Sequence, residues 1–218
     1  AAYYGTTTDD CIAIGRNALL GVSGNTIGNQ NIAIGSYSLD AATTATENVA
    51  IGAYAGSAIN TGNYNVLIGK NTGDAITTGV GNTAVGRAAL NVTDDGEYNT
   101  VMGYAALANG NCGGYNVAIG SSALINATGG FNTAIGSHAA DAVTDAARLT
   151  AIGYSAMGVA VSNSDCTAIG YASLDAATSG NQNTAVGSYS LSTTVDGANN
   201  AAFGYAALGN ADCGDDNT

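Results

Sequence analysis

Asn82-Thr83-Ala84-Val85-Gly86-Arg87-Ala88-Ala89-Leu90 is one copy of a phrase that occurs twelve times in this chain. The copies centre on Gly15, Gly35, Gly52, Gly69, Gly86, Gly103, Gly120, Gly136, Gly153, Gly170, Gly187 and Gly204. Their spacings are 20, then 17 five times, then 16, then 17 four times. A fixed period of this size marks stacked units, each too small to bury a core alone. With the glycine as position zero, Asn stands at minus four in nine copies, and Cys11, Leu149 and Cys166 are the exceptions. Minus three is Thr in six copies and Ile or Val in five, and minus two is Ala in ten. Minus one is Ile14, Ile34, Ile51, Ile68, Ile119, Ile135, Ile152 or Ile169 in eight copies, and Val85, Met102, Val186 or Phe203 in the rest. Plus three is Ala, Ser or Thr, and plus four is Leu in eight copies.

Thr and Ile at minus three and minus one are β-formers two residues apart, so they share one face of a strand. Ala at minus two and Gly at zero take the other face, which is nearly flat. Glycine at the strand end supplies a bend or a positive φ without a Cβ clash. The following Ala-Leu piece is expected to begin a second strand. The spacers, such as Asn60-Thr61-Gly62-Asn63 and Thr93-Asp94-Asp95-Gly96, read as turns. No spacing of three and four supports a helix. The expected fold is all-β, a parallel β-roll or β-solenoid of about twelve 17-residue coils forming one domain over residues 1–218. At about 4.8 Å per coil it would be roughly 55–60 Å long. Stacking is expected to bury a column of Ile and Leu. The Ala/Gly face, too flat and apolar to stay wet, is expected to pack against copies of itself. The repeat is cut at both ends, as expected for a segment of a longer array or a subunit stacked end to end.

Composition removes several classes. Of 218 residues 32 are Gly, yet Gly lacks a three-residue period and Pro is absent, which excludes collagen. Charged residues are 9% and apolar ones 46%, unlike a charge-driven disordered chain. No apolar run reaches the ~20 residues of a membrane helix, so no membrane insertion is expected in this segment. No secretory leader is expected in this segment either. The net charge is −12, with only Arg16, Lys70, Arg87 and Arg148 as cations, which argues against nucleic acid as a partner.

Candidate chemistry is sparse. Cys11, Cys112, Cys166 and Cys213 lack zinc-site spacing, and on a solenoid the nearest pairs lie about three coils apart, beyond disulfide reach. They read as small residues filling Asn-like slots, or, for Cys213 and Cys11, as a bond between end-to-end neighbours. His138 is the only histidine and has no second histidine for a metal or catalytic set. Asp9-Asp10, Asp94-Asp95-Gly96-Glu97 and Asp212 with Asp215-Asp216 read as solvated turns, with Ca²⁺ as the alternative. No cofactor is expected. Tyr104, Tyr154, Tyr171 and Tyr205 follow the glycine directly, Tyr37, Tyr54 and Tyr189 come one later, and Tyr64, Tyr98, Tyr115 and Phe131 precede the Asn. Such columns suit stacking on sugar rings or packing between chains. Asn91-Val92-Thr93 and Asn126-Ala127-Thr128 have the form of N-glycosylation acceptors.

Copies such as Asn116-Val117-Ala118-Ile119-Gly120 resemble the head repeats of YadA-type trimeric autotransporter adhesins. Copies such as Asn82 to Leu90 are similar to the Asn-Thr-Ala-Ile-Gly-x-x-Ala-Leu arrays of phage-type tail fibres. The resemblance implies a left-handed roll, trimerised side by side, on an extracellular, cell-surface or virion fibre. It also implies attachment to a surface glycan or protein receptor. The period of 17 and the frequent Ala in place of the second adhesin Ser depart from the adhesin pattern. The leading expectation is therefore a non-enzymatic structural and adhesive homotrimer. The alternatives are an end-to-end filament subunit, an ice- or surface-binding solenoid and a polysaccharide-degrading tailspike.

Overall fold

The computed structural model describes residues 10–21, 28–159, 162–176, 179–193, 196–209 and 214–218. The contacts divide the chain into two compact units, residues 1–111 and 112–218. The first holds β1 (Ile12–Ile14), β2 (Ile32–Ile34), β3 (Val49–Ile51), β4 (Val66–Ile68), β5 (Thr83–Val85) and β6 (Thr100–Met102). The second holds β7 (Val117–Ile119), β8 (Thr133–Ile135), β9 (Thr150–Ile152), β10 (Thr167–Ile169), β11 (Thr184–Val186) and β12 (Ala201–Phe203). Within each unit the strands pair in parallel and in chain order, with like repeat positions in register, as in Thr150↔Thr167 and Thr167↔Thr184. There is no helix among the described residues. The protein is the expected parallel β-solenoid of 17-residue coils.

Left-handed backbone keeps the strands short. The residue before the Asn position has a φ near 60°, as at Glu47 (57°) and Tyr64 (60°). The repeat glycine closes the strand at a φ of 121 to 141°. A Cβ at Gly170 would come within 2.6 Å of the Gly187 carbonyl carbon, so both conformation and room demand glycine there.

The expected second strand is absent. Residues at plus two and plus four are again left-handed, as in Ala88 (φ 56°) and Leu90 (φ 54°), and two such residues cannot lie in an extended segment. Ala89 N–H donates back to the Gly86 carbonyl at 3.3 Å, and Leu90 N–H reaches the Ala106 carbonyl of the next coil at 3.0 Å. The segment is a stacked turn.

The expected faces of the strand are reversed. Ala33, Ala50, Ala84, Ala118, Ala151 and Ala185 at minus two are fully buried. The minus-one column points outward: Ile14 is 58% exposed, Met102 49% and Phe203 68%. The Ala column is therefore core and cannot pack against other chains, and the Ile column is not core. The reason is the narrowness of the coil. Its interior already takes the plus-four Leu and the minus-four Asn, leaving room for a methyl opposite them. Two coils prove the point. Gly56 and Gly73 replace the plus-four Leu in successive coils, and Leu67, in place of the minus-two Ala of the second, reaches both gaps while Ile59 and Ile76 fill the remaining space. A Cβ on Gly56 would lie 2.9 Å from both Ile59 Cδ1 and Leu67 Cδ1. Interior volume is conserved while its source moves.

The minus-four asparagines form a buried ladder. Asn65 Nδ2 donates to Asn48 Oδ1 (3.0 Å) and to the Gly79 carbonyl (2.9 Å). Asn65 Oδ1 in turn accepts from Asn82 N–H (3.0 Å) and Asn82 Nδ2 (3.1 Å). Each amide thus satisfies backbone groups that the bend between turn and strand would otherwise orphan.

Candidate functional site

Because the interior is mostly apolar or hydrogen-bonded within itself, the exposed chemistry lies in the outward columns. Three of these differ in character. The strand face carries the minus-one aliphatics beside the minus-three residues, and four threonines, Thr133, Thr150, Thr167 and Thr184, align there in the second unit. The edge before the Asn carries Tyr115 stacked on Phe131 (5.2 Å, 7°), and Arg148 forked onto Asp165 at 2.5 and 2.8 Å. That guanidinium holds the Asp165 carboxyl below its usual value.

The edge after the glycine is the richest. In the second unit His138, Tyr154, Tyr171, Tyr189 and Tyr205 form a continuous run of ring contacts with centroids 5.2 to 6.2 Å apart. Tyr154 is 51% exposed and Tyr205 79%. His138 Nδ1 lies 2.9 Å from Asp141 Oδ2. The tyrosine hydroxyl of Tyr189 is held above its ordinary value by hydrogen bonding to Tyr171. The repeat alone places these tyrosines in columns, and the fold brings them into contact.

In the first unit the same edge is mixed. Arg16 lies over the Tyr37 ring (4.9 Å), Tyr37 stacks on Tyr54 (5.1 Å, 6°), and Arg87 lies over the Tyr104 ring (5.6 Å). Between Tyr54 and Arg87 is an open depression of about 440 Å³. It is bordered by Tyr54 and the exposed Lys70 and Arg87, with half-buried Asn71, Asp74 and Asn91 beside them. Ser57 Oγ donates to Asp74 Oδ1, and Asn71 Nδ2 to Asp74 Oδ2 at 3.4 Å. Asn91 Oδ1 is buried with no hydrogen-bond partner among the described residues. The sequence had marked Lys70 and Arg87 only as rare cations. Their shared repeat position was the signal that could have found this feature.

The remaining candidates resolve simply. Cys11 and Cys166 do fill Asn slots: Asn31 N–H donates to Cys11 Sγ and Asn183 N–H to Cys166 Sγ, each at 3.4 Å. Burial pushes the Cys166 thiol up. Cys112 is buried, and Cys213, the proposed partner of Cys11 across chains, lies outside the described residues. So do Asp9, Asp212 and the first two alanines. In the acidic turns Asp94 Oδ1 accepts from Thr77 Oγ1, and Asp215 Oδ1 from Ala198 N–H at 2.8 Å. Among the described residues no three His, Cys, Asp or Glu gather as metal ligands. Asp40 and Asp175 are raised by burial and sit in separate units. Of the two glycosylation-type asparagines, Asn126 is exposed and Asn91 lines the depression. No helix among the described residues is long and apolar enough to cross a membrane. No family model, no curated protein and no solved structure matches the chain.

Proposed function

We propose that the chain is a structural and adhesive segment of an extracellular or virion-borne fibre, a homotrimer without enzymatic activity. The observation that carries this reading is the outward minus-one column. Ile14, Ile68 and Met102 in the first unit and Ile135, Ile169 and Phe203 in the second are each more than a third exposed on the outward side of their strands. Covering one such side chain is worth roughly 1–2 kcal/mol, and a stack multiplies it. The Ile column, not the Ala column, is the surface through which copies pack. The solvent-exposed outer parts of Tyr104, Tyr154, Tyr171 and Tyr205 are what this edge offers a receptor glycan.

Light scattering tests this. The expected mass is three times 21.2 kDa, unchanged by reductant. Lysine at Ile68 and Ile169 is expected to give monomers with an intact solenoid, since neither side chain is in the core. A wild-type monomer would overturn the reading. A second reading, ice or mineral-surface binding, is favoured by one observation, the in-register threonines of β8 to β11. It predicts thermal hysteresis from a monomer, lost when Thr150 and Thr167 are replaced by Lys.

A further inference from the structure

We infer that the depression at Tyr54, Lys70 and Arg87 is a binding site for a carboxylated sugar unit of an acidic polysaccharide. Three of the four cations of this strongly acidic chain, Arg16, Lys70 and Arg87, stand at one repeat position, directly after the glycine. Lys70 and Arg87 are on adjacent coils, so their backbones are about 5 Å apart. Neither takes part in an ion pair among the described residues. Two adjacent like charges repel each other, and the one carboxylate bordering the depression, Asp74, is bonded to Ser57 and Asn71 rather than paired with either cation, so a bound anion lowers that cost.

The rest of the depression points past a bare anion. Phosphate or sulfate offers a site only oxygens to be donated to, yet this one also presents acceptors. Asp74 is a carboxylate with capacity beyond its bonds to Ser57 and Asn71. Acceptors call for hydroxyl donors on the ligand. Tyr54, 41% exposed at one end, offers a ring face of the kind that packs on the C–H face of a pyranose. Carboxylate, hydroxyls and a flat apolar face occur together on a uronic-type sugar. Repetition along a polymer suits a solenoid, where the same edge carries Tyr37 and Arg16 on one side and Tyr104 on the other. This site deepens the adhesive reading and rests on it for its biological role.

The test is binding of trigalacturonate to the full chain by calorimetry, with the neutral galactose trimer and inorganic phosphate as comparison ligands. Lys70→Ser and Arg87→Ser borrow the residue that Ser36 and Ser121 show at this position, and Tyr54→Asn copies Asn71 at the next, so each is expected to fold. Trigalacturonate is expected to bind, more weakly as salt rises, and to lose at least tenfold in affinity in K70S and R87S. Y54N is expected to weaken it several-fold and leave phosphate unaffected. Absence of trigalacturonate binding, or binding indifferent to K70S and R87S, overturns the proposal. Phosphate binding as tightly, with Y54N silent, also overturns it by reducing the site to an anion patch. A trimer that fails to bind removes this site and leaves the fibre standing. A binding monomer does the reverse.

Discussion

In the first unit the inner column opens on Cys11 and then runs Asn31, Asn48, Asn65, Asn82, Asn99 without a break, whereas in the second it reads Asn116, Asn132, Leu149, Cys166, Asn183, Asn200 and is interrupted midway. Asn132 Oδ1 still accepts the Leu149 N–H (3.0 Å), but Leu149 has no side-chain acceptor to offer the next coil. In that next coil Asn163 Oδ1 is buried without a partner among the described residues. Cys166 restores the column with long, weak sulfur bonds. The outer edge contrasts the other way: cations interrupt the rings in the first unit, and the run of rings is unbroken in the second. The difference separates two kinds of position. An inner slot must pass a hydrogen bond onward, so its substitutes are few and costly. An outer slot touches only its stacked neighbours, so it varies freely, and specificity can be written there.

Breaking the continuous ladder is expected to have the largest effect. Asn65→Ala leaves the Asn82 N–H and the Gly79 carbonyl without partners, and should cost about 2–4 kcal/mol in chemical denaturation. A cost below about 1 kcal/mol would mean that the ladder is decorative. Repairing the interrupted ladder should have a smaller effect of opposite sign. Cys166→Asn replaces sulfur by a proper acceptor for Asn183 N–H and should add about 1 kcal/mol, with slower hydrogen exchange at that amide. The smallest effect concerns Asp40 and Asp175, one in each unit. Burial raises both carboxyls above 3.8, so the folded chain holds their protons more tightly than the unfolded chain does. Their contribution to stability is therefore present at low pH and falls as pH rises from 3.8 through the raised values. Asp40→Asn and Asp175→Asn should each flatten that decline in melts taken from pH 3 to 7. A steeper decline would contradict the assigned cause.

Much of this architecture was readable in the repeat. The period, the parallel stacking, the need for glycine at position zero and the Asn-like role of Cys11 and Cys166 followed from spacing and residue size. The orientation of the strand did not. Thr-Ala-Ile alternates in either sense, and size alone favoured putting Ile inside. The turn after the glycine reads as strand in the sequence because Ala-Ala-Leu carries no local mark of a left-handed φ, a conformation imposed by bonds to the next coil.

What the sequence determined alone is the period and therefore the fold class, because a 17-residue unit with glycine at a fixed place has few ways to close on itself. What only the tertiary structure decided is which face is inner. That depends on the width of the closed coil, and the width admits one Leu, one Asn and one methyl. The same closure set Lys70 beside Arg87, residues 17 apart in the chain and neighbours only because each coil returns to its starting line.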